Sequence, residues 1–327
     1  MRRLKRYICL VGLLALLAAA LTGCGFSDDS VEELFTLPRM AEEYTGLTQE
    51  LEALITQGYE YASPTGGRNI QSVQMADLDG DGQQEALAFF HMSSDEKPLK
   101  IFVFKIEGGS YARYCTIESS GTAIDSVYYQ DLNGDGRREL IVGWRISAEV
   151  QTVAVYTVAR EPVALMSSGY TRFTIQDLNG DGIPSLLVLR TDADSQPVAE
   201  FYGWQDEQMG VAYRCVLSST MASVNRGSLV SGRLDADTPA LYITGVDEQG
   251  MAATDILVFR QDLGLVNLAL SGSSTGVSNA VFPYRQLLPQ DINGDGIIEL
   301  PSPDTSWTAE QTDGLVSWLC CNGDGQL

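Results

Sequence analysis

The sequence is poor in histidine and in positive charge. Its 327 residues include one histidine, His91, and 21 Lys plus Arg against 43 Asp plus Glu, which gives a formal net charge of −22. One histidine excludes most histidine-based catalysis and histidine zinc sites. A strongly negative surface repels phosphate backbones, so nucleic acid is not an expected partner.

Glycine, in contrast, is abundant. The chain has 32 glycines in 327 residues, whereas the usual share is about 7%. Hydrophobic residues make up 44% of the chain, which is enough for a packed core and excludes wholesale disorder. These proportions predict a turn-rich, all-β protein. The length suits two domains or one long repeat architecture.

The first 23 residues have the features of an export signal. Four cations and no acid precede an apolar run from Ile8 to Leu21, which is short for a membrane-spanning helix of about 20 residues. The run ends in Leu21-Thr22-Gly23-Cys24, which resembles the lipobox of bacterial lipoproteins. The resemblance implies that Cys24 is lipidated and anchors an extracytoplasmic protein to the membrane. An ordinary signal or an uncleaved anchor is the alternative.

Three segments are predicted: a signal peptide over residues 1–23, a tether and amphipathic helix over 24–58, and β-repeats over 59–327. In the second segment apolar residues recur at intervals of three and four, which predicts one helical face packed on the adjacent domain. Gly46 predicts a break in this helix, and Gly58 predicts its end. The apolar residues are Met40, Tyr44, Leu47, Leu51 and Leu54.

A nine-residue acidic loop recurs along the third segment. Its copies begin at positions 77, 131, 177 and 291, and a degenerate copy begins at Asp235, so the steps are 54, 46, 58 and 56 residues. Spacing of this size indicates a repeated supersecondary unit. The four good copies are Asp77–Glu85, Asp131–Glu139, Asp177–Ser185 and Asp291–Glu299.

Each loop is flanked by short runs of β-branched and aromatic residues, one before the loop and up to three after it. Leu140–Trp144, Val153–Tyr156 and Pro162–Met166 are the three that follow the second loop. Four antiparallel strands in a unit of about 50 residues predict a β-propeller blade. Five blades are visible, and the last is incomplete.

The incomplete blade leaves two expectations. Leu315–Cys321 matches a third strand, and the chain stops at Leu327 where a fourth strand would begin. Either the product is truncated and has an open edge, or residues 68–75 complete the last blade and close a five-bladed ring.

The loops and their spacing resemble the FG-GAP or VCBS-type repeats of bacterial surface proteins, which are similar to the calcium-loop blades of integrin α-chain propellers. The resemblance covers residues from about 70 to 327. It implies a role in adhesion, glycan binding or assembly of surface complexes.

The loop residues themselves indicate structural calcium. Alternate positions carry oxygen donors, and glycines at the fourth and sixth positions allow the tight turn that makes the donors converge. Calcium accepts six to eight oxygens in irregular geometry, whereas magnesium requires a strict octahedron. The expected ligands, with a main-chain carbonyl at the seventh position, are Asp77, Asp79, Asp81, Gln83 and Glu85; Asp131, Asn133, Asp135, Arg137 and Glu139; Asp177, Asn179, Asp181 and Ile183; and Asp291, Asn293, Asp295, Ile297 and Glu299.

Two loops depart from the pattern, and the EF-hand interpretation fails. Ser185 replaces the last carboxylate of the third loop, and the copy at Asp235 is not expected to hold a metal. An EF-hand needs a carboxylate at its twelfth position, where the first two loops have Ala88 and Val142.

Two classes of function remain open. The first is a lipid-anchored, non-enzymatic binding, adhesion or scaffold module with a glycan or a surface protein as partner. The second is a propeller-based polysaccharide lyase or glycoside hydrolase, which could use paired carboxylates. His91 follows two phenylalanines at a strand end, where an ordinary packed histidine is expected. Tryptophans on a propeller face would favour sugar or protein binding, although Trp144 and Trp204 are expected in the core. The candidate tryptophans are Trp144, Trp204, Trp307 and Trp318.

Four cysteines remain besides Cys9 in the signal and Cys24. Export permits disulfides, but the spacing matches no metal or redox motif, and sequence does not fix a pairing. Buried thiols are the expectation for Cys115, Cys215, Cys320 and Cys321.

Overall fold

The computed structural model of the protein describes residues 42–250, 252–269, 288–303 and 316–319. These residues are all-β, with 51% strand and 7% helix, which confirms the all-β part of the predicted fold class. The predictions for residues 1–23, Cys24, Trp307, and Cys320 and Cys321 lie outside the described residues. Within the described part, no helix has both the length and the apolar content needed to cross a bilayer.

The first sheet contains five strands. β3, β4 and β5 pair in order as an antiparallel meander, while β1 and β2 both pair with the free edge of β3. Their bounds are β1 Glu60–Tyr61, β2 Val73–Ala76, β3 Glu85–His91, β4 Leu99–Glu107 and β5 Ser110–Ser119.

Three further sheets each contain four antiparallel strands in chain order, as the repeat predicted. The last two strands of each of the first three sheets share a register shift at one equivalent place, next to Phe104, Tyr156 and Tyr202. This shared irregularity shows that the units repeat in detail as well as in outline. The strands are β6 Ala123–Gln130, β7 Glu139–Arg145, β8 Gln151–Thr157 and β9 Val163–Gly169; β10 Arg172–Gln176, β11 Ser185–Thr191, β12 Pro197–Gln205 and β13 Gln208–Val216; and β14 Leu229–Arg233, β15 Pro239–Val246, β16 Ala252–Arg260 and β17 Gly264–Asn267.

A fifth sheet follows the last acidic loop. β18 (Leu300–Pro303) pairs antiparallel with β19 (Val316–Leu319), so the run predicted over Leu315–Cys321 contains a strand. Residues 68–75 were one candidate for completing this sheet. Instead, β2 pairs with β3 through Val73 and Ala88 in the first sheet, because the loop after Ala76 returns the chain directly as a hairpin.

Helix α1 (Glu42–Thr56) packs on the first sheet, and a short helix, α2 (Met221–Val224), lies between β13 and β14. Leu47 and Leu54 of α1 are buried against Phe102 and Phe104, which confirms the predicted apolar face. The predicted break at Gly46 is wrong, because the helix continues through it. A Cβ there would lie 1.9 Å from Ser110 Oγ, so glycine allows the helix to approach β5 closely.

Consecutive sheets pack face to face through separate hydrophobic clusters. Because successive side chains of a strand point to opposite faces, Leu140 and Val142 of β7 pack toward the first sheet, whereas Ile141 packs toward the third. The sheets therefore follow one another in space in chain order. Each of the four interfaces has a cluster with buried residues from both sheets, including Phe89 and Trp144 in the first, Ile141 and Val188 in the second, Leu187 and Leu241 in the third, and Tyr242 and Leu300 in the fourth.

Candidate functional site

The first three acidic loops connect β2 to β3, β6 to β7 and β10 to β11, and the last one precedes β18. All four share one hydrogen-bond scaffold. In the first loop the main-chain N–H groups of Gly80 and Gly82 donate to the two carboxylate oxygens of Asp77, at 2.8 and 3.1 Å. The same pair of bonds recurs on Asp131, Asp177 and Asp291, at 2.6 to 2.9 Å. The first aspartate therefore organises the turn in every good copy.

The fifth residue of each loop closes the turn. Gln83 N–H donates to Asp81 Oδ1 at 2.8 Å, and this main-chain bond, followed by Lys105, lowers the pKa of Asp81. Equivalent bonds of 2.7 to 2.8 Å link the seventh residue to the fifth in the other good copies. The predicted ligand positions thus have matching local conformations in Arg137, Ile183 and Ile297.

The ninth residue is a buried glutamate in three loops. Glu85, Glu139 and Glu299 are 2%, 4% and 5% exposed. In each, Oε2 accepts the main-chain N–H of the second loop residue, at 2.7, 2.8 and 3.0 Å. Burial raises the pKa of Glu85 and of Glu139, because desolvation penalises the charged carboxylate. A cation beside these groups would offset that penalty.

The first loop brings carboxylates together most closely. Oxygen atoms of Asp77, Asp79 and Glu85 lie within 4.8 Å of one another. Glu85 Oε1 is buried and receives no hydrogen bond. An oxygen donor set with an unsatisfied buried carboxylate oxygen suits a hard cation better than a softer metal.

The other good loops arrange their donors differently. Of the described residues, only Asp77, Asp79 and Glu85 form a three-acid cluster of that tightness. In the second, third and last loops, the third residue is asparagine, and its Nδ2 donates to Oδ2 of the fifth residue. The bonds are Asn133 to Asp135 at 3.2 Å, Asn179 to Asp181 at 2.7 Å, and Asn293 to Asp295 at 3.0 Å.

The degenerate loop is a simple turn. Asp235 Oδ1 accepts the main-chain N–H groups of Asp237 and Thr238, at 3.0 and 2.9 Å. The turn connects β14 and β15 at the position that the acidic loops take in the other sheets.

The loops also touch one another, which the sequence did not predict. Arg138 N–H donates to the carbonyl of Leu78 at 2.7 Å, joining the second loop to the first. Trp204 Nε1 donates to the carbonyl of Leu132 at 2.7 Å, joining the third sheet to the second loop. The first and second loops therefore lie side by side, and the third sheet borders the second loop.

A polar cleft of about 840 Å³ runs along β2, β6 and β10, the strands that precede the first three acidic loops. Its lining includes two residues that are hydrogen-bonded to each other: Tyr129 OH donates to Gln74 Oε1 at 2.6 Å. Burial raises the pKa of Tyr129. Of the described residues that line the cleft, Asp77 is the single acid. The groups available to a ligand include Arg68, Gln71, Gln84, Tyr128, Arg138 and Phe173.

Other sequence candidates lie away from this cleft. Trp144 is 2% exposed in the core, as expected, and Trp204 is half-buried beside the second loop. His91 ends β3, where it pairs with Leu99 and Glu60. Cys115 and Cys215 are free thiols, and burial raises the pKa of each to about 12.

No protein-family model and no curated protein sequence matches this chain. Among solved structures, a rhamnogalacturonan lyase from Bacillus licheniformis is similar at 15% identity and a TM-score of 0.36, over 64% of this chain and 49% of the lyase. The chain thus spans about half the length of that enzyme. A hypothetical protein from Leishmania major is similar at 13% identity and a TM-score of 0.27, over 67% of this chain and 75% of that protein.

Proposed function

We propose that this chain is a lipid-anchored, extracytoplasmic binding module, built as a calcium-stabilised β-propeller, that binds an acidic glycan in the cleft along β2, β6 and β10. The observation that carries the proposal is the loop scaffold, which recurs with the same hydrogen bonds in four copies. The buried glutamate at the ninth position of three copies supports it further, because one main-chain hydrogen bond to each Oε2 offsets only part of the cost of burying a carboxylate, and a metal ion would offset more of it.

The propeller is the simplest closed form of the observed packing. Each interior sheet is covered on both faces by its neighbours, and ring closure would extend this arrangement to the terminal sheets. Small-angle scattering of residues 24–327 would test it. A compact ring should have a radius of gyration of about 19 Å, whereas an open stack of sheets would give a clearly larger value.

Calcium is expected to stabilise the fold by mass action. With dissociation constants of about 10⁻⁴ to 10⁻³ M, as in extracellular modules, 10 mM calcium should add about 1.4 to 2.7 kcal/mol for each occupied site. Asp135→Ala should reduce the calcium-dependent rise in melting temperature. Asp235→Ala is the matched control, because it alters the degenerate loop. An equal effect of the two changes would contradict the assignment of the intact loops as metal sites.

The cleft favours binding of acidic sugars. Arginine pairs with carboxylates through parallel hydrogen bonds, the amides of Gln71 and Gln84 can bond to hydroxyls, and Tyr128 and Phe173 offer rings for sugar faces. Glycoside hydrolysis uses two carboxyl groups, while the described lining offers Asp77 alone. These features support a binding module over the hydrolase alternative.

A panel of uronate-containing and neutral oligosaccharides, assayed for both binding and cleavage, would separate the two classes. Arg138→Gln should weaken binding of the acidic members. Arg137→Gln is the control, because Arg137 has the same charge but does not line the 840 Å³ cleft; it lines, together with Arg138, a second cavity of about 550 Å³ beside Trp204. Turnover of any oligosaccharide would favour the enzyme. Equal binding of acidic and neutral members would contradict the proposed ligand class.

The lipid anchor is tested separately. The unmodified full-length protein should partition into detergent, and Cys24→Ser should release it from the membrane or block processing. Normal cleavage and undiminished membrane retention of the Cys24→Ser protein would contradict the lipoprotein assignment.

A further inference from the structure

Lys105 of β4 reaches into the first loop. Its Nζ contacts Asp79 Oδ2, lies 3.2 Å from Asp81 Oδ2, and lies 3.8 Å from Glu85 Oε1. The lysine side chain is 22% exposed, and that of Glu85 is 3% exposed. One ammonium therefore neutralises part of a three-carboxylate cluster from inside the fold.

The equivalent positions in the next two sheets carry no cation. Lys105 follows Phe104, which pairs with Ala86 at the start of the strand after the loop. By the same register, Thr157 follows Tyr156 in the second sheet, and Gly203 follows Tyr202 in the third. Lys105 is thus a feature of the first unit among these three.

The first loop also differs in the residue that faces this lysine. Its third position is Asp79, where the other three good loops have asparagine. Those asparagines donate Nδ2 to Oδ2 of the fifth residue, and in the first loop the Lys105 ammonium lies beside Oδ2 of the fifth residue, Asp81. The lysine therefore replaces the missing carboxamide donor.

The formal charges of the carboxylate ligands agree with this replacement. The first loop has four carboxylates, Asp77, Asp79, Asp81 and Glu85, and with Lys105 its charge is −4 + 1 = −3. The second loop has three ligand carboxylates, Asp131, Asp135 and Glu139, whose summed charge is also −3; Arg137 and Arg138 of that loop are not counted in this ligand charge. A lysine ammonium is positively charged at neutral pH, so Lys105 supplies this charge as it stands.

A calcium ion in the first loop would need oxygens that the ammonium already contacts. Calcium requires oxygen atoms at 2.3 to 2.6 Å, and a second positive charge at the same oxygens is repelled. We propose that Lys105 is a tethered counter-cation for the first loop, so that calcium fills the second and last loops first and enters the first loop only by displacing the lysine. The inference rests on the proposed calcium function of the loops.

Calcium binding to the whole protein, measured by isothermal titration and equilibrium dialysis, tests this role. Lys105→Thr, which introduces the residue found at position 157, should add one calcium site or tighten the weakest site by about tenfold. Lys97→Thr is the control, because it removes the same charge at a different place. The Lys97 side chain is 58% exposed and makes a 3.6 Å ion pair with Glu118. This variant should leave the binding unchanged.

A second variant and a measurement of the melting temperature distinguish a change in calcium binding from a loss of folding. Asp79→Asn combined with Lys105→Thr recreates the pattern of the second loop and should bind calcium there without excess negative charge. In chelator, Lys105→Thr should melt below the wild type, and calcium should restore it by a larger shift than the wild type shows.

The outcomes separate this inference from the proposed function. Calcium binding by the wild type that neither lysine variant alters would overturn the role of Lys105 and leave the calcium function standing. No calcium binding by the wild type, by Lys105→Thr or by the double variant would overturn both. Extra binding in both Lys105→Thr and Lys97→Thr would reduce the effect to net charge and would also overturn the assignment.

Discussion

Replacing Gly80 with alanine tests the contact between the first two loops. A Cβ at Gly80 would lie 2.5 Å from the carbonyl oxygen of Gly136 in the second loop. Gly82, two residues later, has nothing within 4 Å of its Cβ position. Both glycines have positive φ, +74° and +86°, so they form a matched pair that differs in the loop contact.

The expected magnitudes follow from this difference. An alanine in the left-handed region costs about 1 to 2 kcal/mol, and this cost applies to both variants. Gly80→Ala adds an overlap with main chain that cannot rotate away, and overpacking of this kind costs about 1 to 3 kcal/mol more. We therefore expect losses of about 1 to 2 kcal/mol for Gly82→Ala and about 2 to 5 kcal/mol for Gly80→Ala.

Urea unfolding in the presence of a chelator would measure the two losses without a contribution from metal. Gly134→Ala provides an intermediate case, because its Cβ would lie 2.8 Å from Ile183 Cδ1, the end of a side chain that can move. Equal losses for Gly80→Ala and Gly82→Ala would refute the reasoning and show that the loops are not packed together in solution.

Three further predictions concern buried groups. Asp255→Asn should destabilise the fold by about 3 kcal/mol in urea unfolding. The fully buried carboxylate accepts four hydrogen bonds, including those of Ser218 and Asn267, and the NH₂ group of an amide would face these donors. An unchanged unfolding midpoint would contradict this prediction. Trp204→Phe should cost about 1 kcal/mol by removing the indole bond to the second loop, and a change in the calcium response of that loop is the accompanying readout. The thiols of Cys115 and Cys215, with pKa values of about 12 against 9.0, should alkylate at pH 8 about a thousandfold more slowly than in denatured protein. Because these raised values mean that the folded state holds its thiol protons longer, stability should fall as pH rises from about 9 to 12; fast alkylation of the folded protein would contradict the burial.

The sequence predicted the units well because their determinants are local. Strand runs such as Leu140–Trp144 have high β-propensity and are joined by turns with distinctive glycines, so unit length and strand order follow from the chain itself. The spacing of Leu47 and Leu54 likewise predicted the apolar face of the helix. The sequence did not predict that the helix continues through Gly46, because the close approach of β5 at Ser110 is a tertiary contact that overrides the low helix propensity of glycine.

In the candidate sites, too, features set by neighbouring residues could be predicted and features set by tertiary contacts could not. The loop ligands could be located from their spacing, since they lie within nine residues. Lys105 lies 20 residues after Glu85 in sequence, and only the pairing of β3 with β4 brings it to the loop. The cleft was also beyond sequence reasoning, because its lining comes from three successive sheets. For the contact of Lys105 with the loop, the sequence offered one signal: this lysine follows Phe104, the residue that pairs with Ala86 on the neighbouring strand.

The side-by-side order of the sheets has a consequence for how the chain folds. Within each sheet the main pairings join strands that are adjacent in sequence, as in the hairpin of β11 and β12, so most contacts close short loops. Short loop closures carry a low entropic cost and favour rapid formation of each unit. Docking of one formed unit on the next is then the later step, and a unit can begin to fold before its successor has emerged. Substitutions at an interface, such as one at Trp144, should therefore accelerate unfolding more than they slow folding.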